Sequence, residues 1–116
     1  MPEYVVSRLE FLLDKPLNGL EVLVAGLAYK PGVSDIRESP ALEIISKLRQ
    51  KGANTVWYDP LVTHWENGPS SVEQSFDAII ITLPNLNLPI EMWIRSGIKV
   101  LDCTGTYGIS PEIEQL

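Results

Sequence analysis

The hydrophobic positions fall into short blocks whose spacing alternates between helix and strand. Within residues 3–14, Val5, Leu9, Leu12 and Leu13 recur on one face of an amphipathic helix. Lys15, Pro16, Asn18 and Gly19 end it with turn formers. Residues 21–27 are a Val- and Leu-rich run without alternation, the pattern of a strand buried on both faces in a parallel sheet. A polar loop, residues 28–38, follows. Ser39 and Pro40 then open a helix: the Ser hydroxyl accepts from an orphan N–H, and Pro at the first helical position gives up a donor that has no partner there. Ala41, Ile44, Ile45 and Leu48 form its buried stripe, and Gly52 suits the residue beyond its end.

The second half continues the alternation. Residues 54–58 predict a strand stopped by Asp59 and Pro60, and residues 61–75 are irregular apart from a helical turn over Ser71 to Ser75. Residues 76–83 predict a third strand, residues 89–96 a short helix, and residues 98–102 a fourth strand. Beyond Cys103 the pattern fades, with a turn of helix expected after Pro111. Strands alternating with helices imply right-handed crossovers and parallel pairing. The expected fold is an α/β, three-layer Rossmann-like sandwich. Its mostly parallel sheet has about four to five strands, in spatial order 2-1-3-4, preceded by an amino-terminal helix. Ligands of such sheets sit beyond the carboxyl ends of the strands, near the switch point. Here that is the loop after the first strand.

Composition narrows the partners. The chain has 116 residues and a formal net charge of −6, with no Lys/Arg cluster, which argues against nucleic-acid binding. The single cysteine, Cys103, excludes an intramolecular disulfide and a Cys-rich zinc site and fits a reducing cytoplasm. The single histidine, His64, is expected in a loop and not on a metal. No apolar run approaches the roughly 20 residues of a membrane helix, and the first residues do not read as a signal peptide.

The candidate chemistry lies between Gly26 and Pro40. The segment is not a dinucleotide fingerprint, because only Gly26 stands near a required glycine and the connection is too long. It offers two cations, Lys30 and Arg37, and the start of a helix at Ser39–Ala41 with N–H groups and a positive dipole end. Together these suit a phosphate or diphosphate, with Tyr29 against a base or sugar. The alternative is that Lys30 and Arg37 are ordinary solvated loop charges, and the residues alone leave both readings open.

The run from Gly26 to Pro40, continued through Ala41, Leu42, Glu43, Ile44 and Ile45, resembles the signature of the UDP-glucose/GDP-mannose dehydrogenase carboxy-terminal domain. That signature is a strand, then G-x-[AS]-[FY]-K, a polar stretch with Asp, then R-E-S-P-A and a helix. Tyr58-Asp59-Pro60 after the second strand belongs to the same pattern, and residues 1–6 resemble the end of the central helix that leads into the domain. The likeness is close over residues 1–62 and holds in outline over residues 63–116. It implies a division into a linker helix, residues 1–18, and a nucleotide-sugar-binding domain, residues 19–116. It implies that Tyr29 and Lys30 contact a UDP-sugar or GDP-sugar, that Arg37 reaches NAD phosphate oxygens across a cleft, that Glu38 orients Arg37, and that Gly26 and Ser39 support the loop. It also implies a reaction in polysaccharide biosynthesis: the sugar C6 alcohol becomes a carboxylate and two NAD are reduced. The catalytic Cys and most of the NAD site lie in upstream domains, and the parent enzyme is a homodimer. This chain by itself would carry no catalytic residue.

Two departures from the family pattern stand at the binding edge. Thr104 occupies the place of an expected Arg, and Thr82-Leu83-Pro84 replaces a T-x-H pattern. They point to an altered pocket, and with it to a second reading: a stand-alone, non-enzymatic nucleotide-binding or interaction module of the same fold. Cys103, without a basic neighbour in sequence, reads as an ordinary thiol. Asp59 and Asp102, each ending a strand, are expected to accept from nearby loop N–H groups. Trp57, Trp65 and Trp93 are expected in the core or an interface.

Overall fold

A computed structural model describes residues 2–28, 30, 35–37, 39–62, 65–72, 74–84, 86–104 and 113–115. In chain order the elements are α1 (Pro2–Leu13), β1 (Glu21–Ala25), α2 (Pro40–Gln50), β2 (Asn54–Tyr58), β3 (Ala78–Ile81), α3 (Ile90–Arg95), β4 (Lys99–Asp102) and β5 (Ile113–Gln115). The strands form one five-stranded sheet in the order β2-β1-β3-β4-β5, parallel throughout. The expected Rossmann-like α/β fold and the order 2-1-3-4 are therefore what the chain adopts.

The uninterrupted apolar runs explain the centre of the sheet. Val22, Leu23, Val24 and Ala25 of β1 and all of β3 are buried, so both faces of these strands are covered. From β1 the chain crosses to β2 through α2, while β3 to β4 runs the opposite way through α3. Right-handed crossovers then put α2 and α3 on opposite faces. Val5, Val6 and Leu9 of α1 join the same core as Ala41, Ile44, Ile45 and Leu48 of α2. The pairs Lys51–Glu10 (3.2 Å) and Lys47–Glu3 (3.5 Å) flank the seam between the two helices. On the other face Trp93 of α3 is fully buried and donates its indole N–H to the carbonyl of Val72 at 3.1 Å.

Three expectations change. Of the segment Ser71 to Ser75, where a helical turn was expected, the described residues show a turn at Val72 and a bend at Gln74 and no helix, and the carbonyl of Val72 is held by Trp93. The segment after Pro111 gives a strand, β5, where a turn of helix was expected. Its three residues are too few to display a period, and pairing with β4 decides their conformation. The first strand ends at Ala25, short of residue 27, because Gly26 takes φ of 107° and turns the chain out of the sheet.

The candidate nucleotide edge

The carboxyl ends of β1, β3 and β4 lie side by side, and they bring Gly26–Ala28, Thr82–Leu83 and Asp102–Thr104 to one edge. This is the edge the topology marks for a ligand. Side chains that end strands help to hold its backbone. The Asp59 carboxylate, 2% exposed, accepts from the N–H groups of Leu27 and Ala28 through Oδ2, both at 2.9 Å. Its Oδ1 accepts from Leu61 N at 2.9 Å. Asp102, fully buried, accepts from the backbone N–H of Thr104 at 2.8 Å and from its hydroxyl at 2.6 Å. Both aspartates thus do what their position at strand ends suggested.

At the far end of the loop, Ser39 is a true helix cap. Its Oγ accepts from Ala41 N at 3.2 Å and donates to the carbonyl of Ala28 at 3.4 Å. One hydroxyl therefore ties the start of α2 to the start of the loop. This corrects the expectation that the helix start offers N–H groups to a phosphate. Pro40 has none, Ala41 N is taken by Ser39 Oγ, and Leu42 N donates to the carbonyl of Ser39 at 3.2 Å. Only the dipole end of α2 is left to favour an anion.

The cations are where the sequence put them. Lys30 is exposed on the loop. Arg37 is exposed and bound in a fork by Asp35: Nη2 to Oδ2 at 3.0 Å and Nε to Oδ1 at 3.1 Å, with the Arg37 backbone N–H on the same Oδ1 at 2.9 Å. These hydrogen bonds hold the Asp35 carboxyl below its usual range and raise Arg37 above its own. Asp35, two residues upstream, is the partner that sequence reasoning missed; the i, i+2 Asp–Arg spacing of an Asx-type turn was the available signal. Tyr29 and Glu38, expected to contact ligand and to orient Arg37, lie outside the described residues.

Cys103 sits next to this edge, its N–H on the carbonyl of Ile81 at 2.9 Å. Burial, with the Asp102 charge beside it, pushes its thiol up to about 11 from the ordinary 9.0, which disfavours the reactive thiolate at neutral pH. Trp57 packs on Trp65 with ring centroids 5.9 Å apart, at the opposite side of the sheet from β4. Two grooves, of about 400 and 320 Å³, open there around Arg49. No group of three or more His, Cys, Asp or Glu side chains stands together as a metal site among the described residues. Nor is any described helix long and apolar enough to cross a membrane.

Among the described residues of the β1–α2 connection, the N–H groups of Leu27, Ala28, Ala41 and Leu42 are already bonded, to Asp59 and within the cap of α2. The arrangement defines a Rossmann-like α/β domain whose candidate ligand edge carries a long polar loop with Lys30 and Arg37 and not a glycine-rich turn.

Comparison with known proteins agrees. Residues 23–85 match the profile of the UDP-glucose/GDP-mannose dehydrogenase family, UDP binding domain. The chain belongs to this family. It is 34% identical over 111 residues to a UDP-glucose 6-dehydrogenase of Rickettsia bellii, covering 96% of this chain and 22% of that protein. It is 47% identical over 58 residues to the UDP-glucose 6-dehydrogenase TuaD of Bacillus subtilis, covering 50% of this chain and 12% of that one. The UDP-N-acetyl-mannosamine dehydrogenase Cap5O from S. aureus superposes with a TM-score of 0.77 at 25% identity, over 98% of this chain and 30% of that one. The matches thus cover between 12% and 30% of these relatives' own length.

Proposed function

We propose that this chain is the nucleotide-sugar-binding part of an NAD-dependent dehydrogenase that oxidises the C6 alcohol of a UDP-sugar to a carboxylate. The observation that carries the reading is the loop that bears Lys30 and Arg37, pinned at both ends, in a domain of the UDP binding family. Lys30 binds the diphosphate as a point charge, and Tyr29 packs against the base or sugar. Arg37, released from Asp35, contacts the phosphate oxygens of an NAD held by an upstream domain; a bidentate guanidinium suits that contact. Gly26, Glu38 and Ser39 support the loop. NAD supplies hydride acceptance in the parent enzyme, and the role of this chain is to bind and orient. Residues 1–18 form the lead-in from upstream domains and residues 19–116 the binding domain. Tyr4 and Phe11, 58% and 75% exposed on α1, support a homodimeric parent with this helix at the contact. A cytoplasmic setting suits a lone thiol, and polysaccharide biosynthesis is the context that such a sugar acid suggests.

A second reading, a non-enzymatic binding module, is favoured by Thr104. Where the family pattern has Arg, this hydroxyl is tied to Asp102 and brings no charge to the ligand.

The test is to titrate the isotope-labelled chain with UDP, UDP-glucose and GDP, following backbone amide shifts. Shifts within residues 28–40 on adding UDP, lost in Lys30→Ala, are expected. Silence from all three nucleotides at millimolar concentration would sink the reading for this chain.

A further inference from the structure

Asp59 directly follows β2, and its carboxylate is turned into the protein. It is 2% exposed, and its oxygens accept three backbone N–H groups, from Leu27, Ala28 and Leu61, each at 2.9 Å. Two of these belong to the first residues after Gly26, where β1 has turned out of the sheet at φ 107°. No strand partner supplies acceptors at that point, so Asp59 does. The path continues: the carbonyl of Ala28 accepts from Ser39 Oγ, which in turn accepts from Ala41 N. A single line of hydrogen bonds therefore runs from the end of β2, through the start of the loop, to the cap of α2. Lys30 lies two residues beyond the last N–H that Asp59 holds.

We infer that Asp59 is a positioning residue for the nucleotide site. By holding the N–H groups of Leu27 and Ala28 it fixes the direction in which the loop leaves the sheet, and so where Lys30 and Arg37 stand. It does not touch the ligand. The inference rests on the nucleotide reading above for its function, but its structural part is independent of any ligand. A carboxylate is needed because all three donors face acceptor oxygens, two on Oδ2 and one on Oδ1. In Asp59→Asn the –NH2 group replaces one of these acceptors and faces a backbone donor, and the oxygen that remains is an uncharged, weaker acceptor.

The experiment compares Asp59→Asn with Asp77→Asn. Asp77 also accepts a backbone N–H through its carboxylate, from Glu21 at 2.8 Å, but at the opposite end of the sheet, so it controls for lost stability. In the ligand-free chain, Asp59→Asn is expected to shift the amides of Lys30, Asp35, Ile36, Arg37 and Ser39 and to speed hydrogen exchange at Leu27 and Ala28 at least tenfold; Asp77→Asn is expected to leave all of these unmoved. Changes confined to residues 27–28 and 59–61 would overturn the inference. With UDP, the dissociation constant is expected to rise at least tenfold in Asp59→Asn and to stay within twofold in Asp77→Asn at a similar melting temperature. Equal weakening in both overturns it too. If the unsubstituted chain ignores UDP, the nucleotide reading fails while the ligand-free comparison still decides what Asp59 does. Should Asp59→Asn not fold, Ser39→Ala cuts the same line at its other end, and an unshifted Lys30 amide in that variant counts against the inference.

Discussion

The hydroxyl of Thr82 lies against Gly26: Oγ1 shares its proton between the carbonyls of Gly26 and Ala25, so the ends of β3 and β1 are tied by a side chain just where their ladder stops. That contact leaves no space for a side chain at residue 26. A Cβ there would run into Thr82 Oγ1 and stand 3.0 Å from Leu83 Cβ, on a backbone at φ 107°. Gly26→Ala is therefore expected to lose about 2–4 kcal/mol, from backbone strain and overpacking together. Gly97→Ala is the comparison, because Gly97 shares a positive φ of 77° but has open space around it. It should lose only about 1–2 kcal/mol. Urea midpoints measure both, and equal losses would show that the Thr82 contact yields easily.

Ser39 has two bonds to lose. Ser39→Ala removes the acceptor for Ala41 N and the donor to the Ala28 carbonyl, in a site only 4% exposed. A loss of about 1–2 kcal/mol is expected. Thermal unfolding followed by circular dichroism would check it; an unchanged midpoint would mean that water replaces both partners.

Cys103 should be slow to alkylate. With the thiol at about 11 instead of 9.0, its thiolate fraction at pH 8 is smaller by roughly 100-fold, and the rate with iodoacetamide should fall in proportion against a free thiol. The raised value also means that the fold favours the protonated thiol. This contribution is complete below pH 9.0 and drains away as pH rises toward 11. A rate at pH 8 equal to that of an unfolded control would contradict the burial.

The pair Arg49–Glu66 works in the opposite pH direction. Arg49 Nη1 and Nη2 meet the Glu66 carboxylate at 2.7 and 3.0 Å, and the hydrogen bonds hold Glu66 below its usual 4.5. A depressed carboxylate stabilises the fold above pH 4.5 and stops doing so as pH falls through the lowered value. Both side chains are more than a third exposed, which limits the pair to about 0.5 kcal/mol. Glu66→Gln should melt slightly below the unsubstituted chain at pH 6 and with it at pH 3. A gap that persists at pH 3 would place the effect elsewhere.

The elements that the sequence made legible are those with a long or complete pattern. Ala41, Ile44, Ile45 and Leu48 announce α2, Ser39 and Pro40 its start, and the unbroken run of β3 its burial at the centre of the sheet. Strand order followed from the alternation and the handedness of crossovers. What stayed hidden depends on contacts between distant residues. β5 exists because β4 is beside it, and Ile113–Gln115 carry no signal of that. At the candidate edge, residue types pointed to Lys30 and Arg37, but the engagement of the α2 N–H groups and the fork from Asp35 are geometric facts. A capping serine says that one N–H is satisfied; it does not say that none is left.

On the flank of the sheet away from β4, the carbonyl of Thr55 is bonded by Arg49 Nη2 at 2.9 Å and that of Trp57 by Ser70 N at 2.7 Å, beneath the Trp57–Trp65 pair. A foreign strand arriving there finds the outward acceptors of β2 occupied, which is how proteins keep their sheets from joining end to end into fibrils. The guanidinium that shields Thr55 is the one Glu66 steadies. Acid, by neutralising Glu66, removes the partner that steadies this shield, so the edge of β2 is less guarded at low pH than at neutral pH.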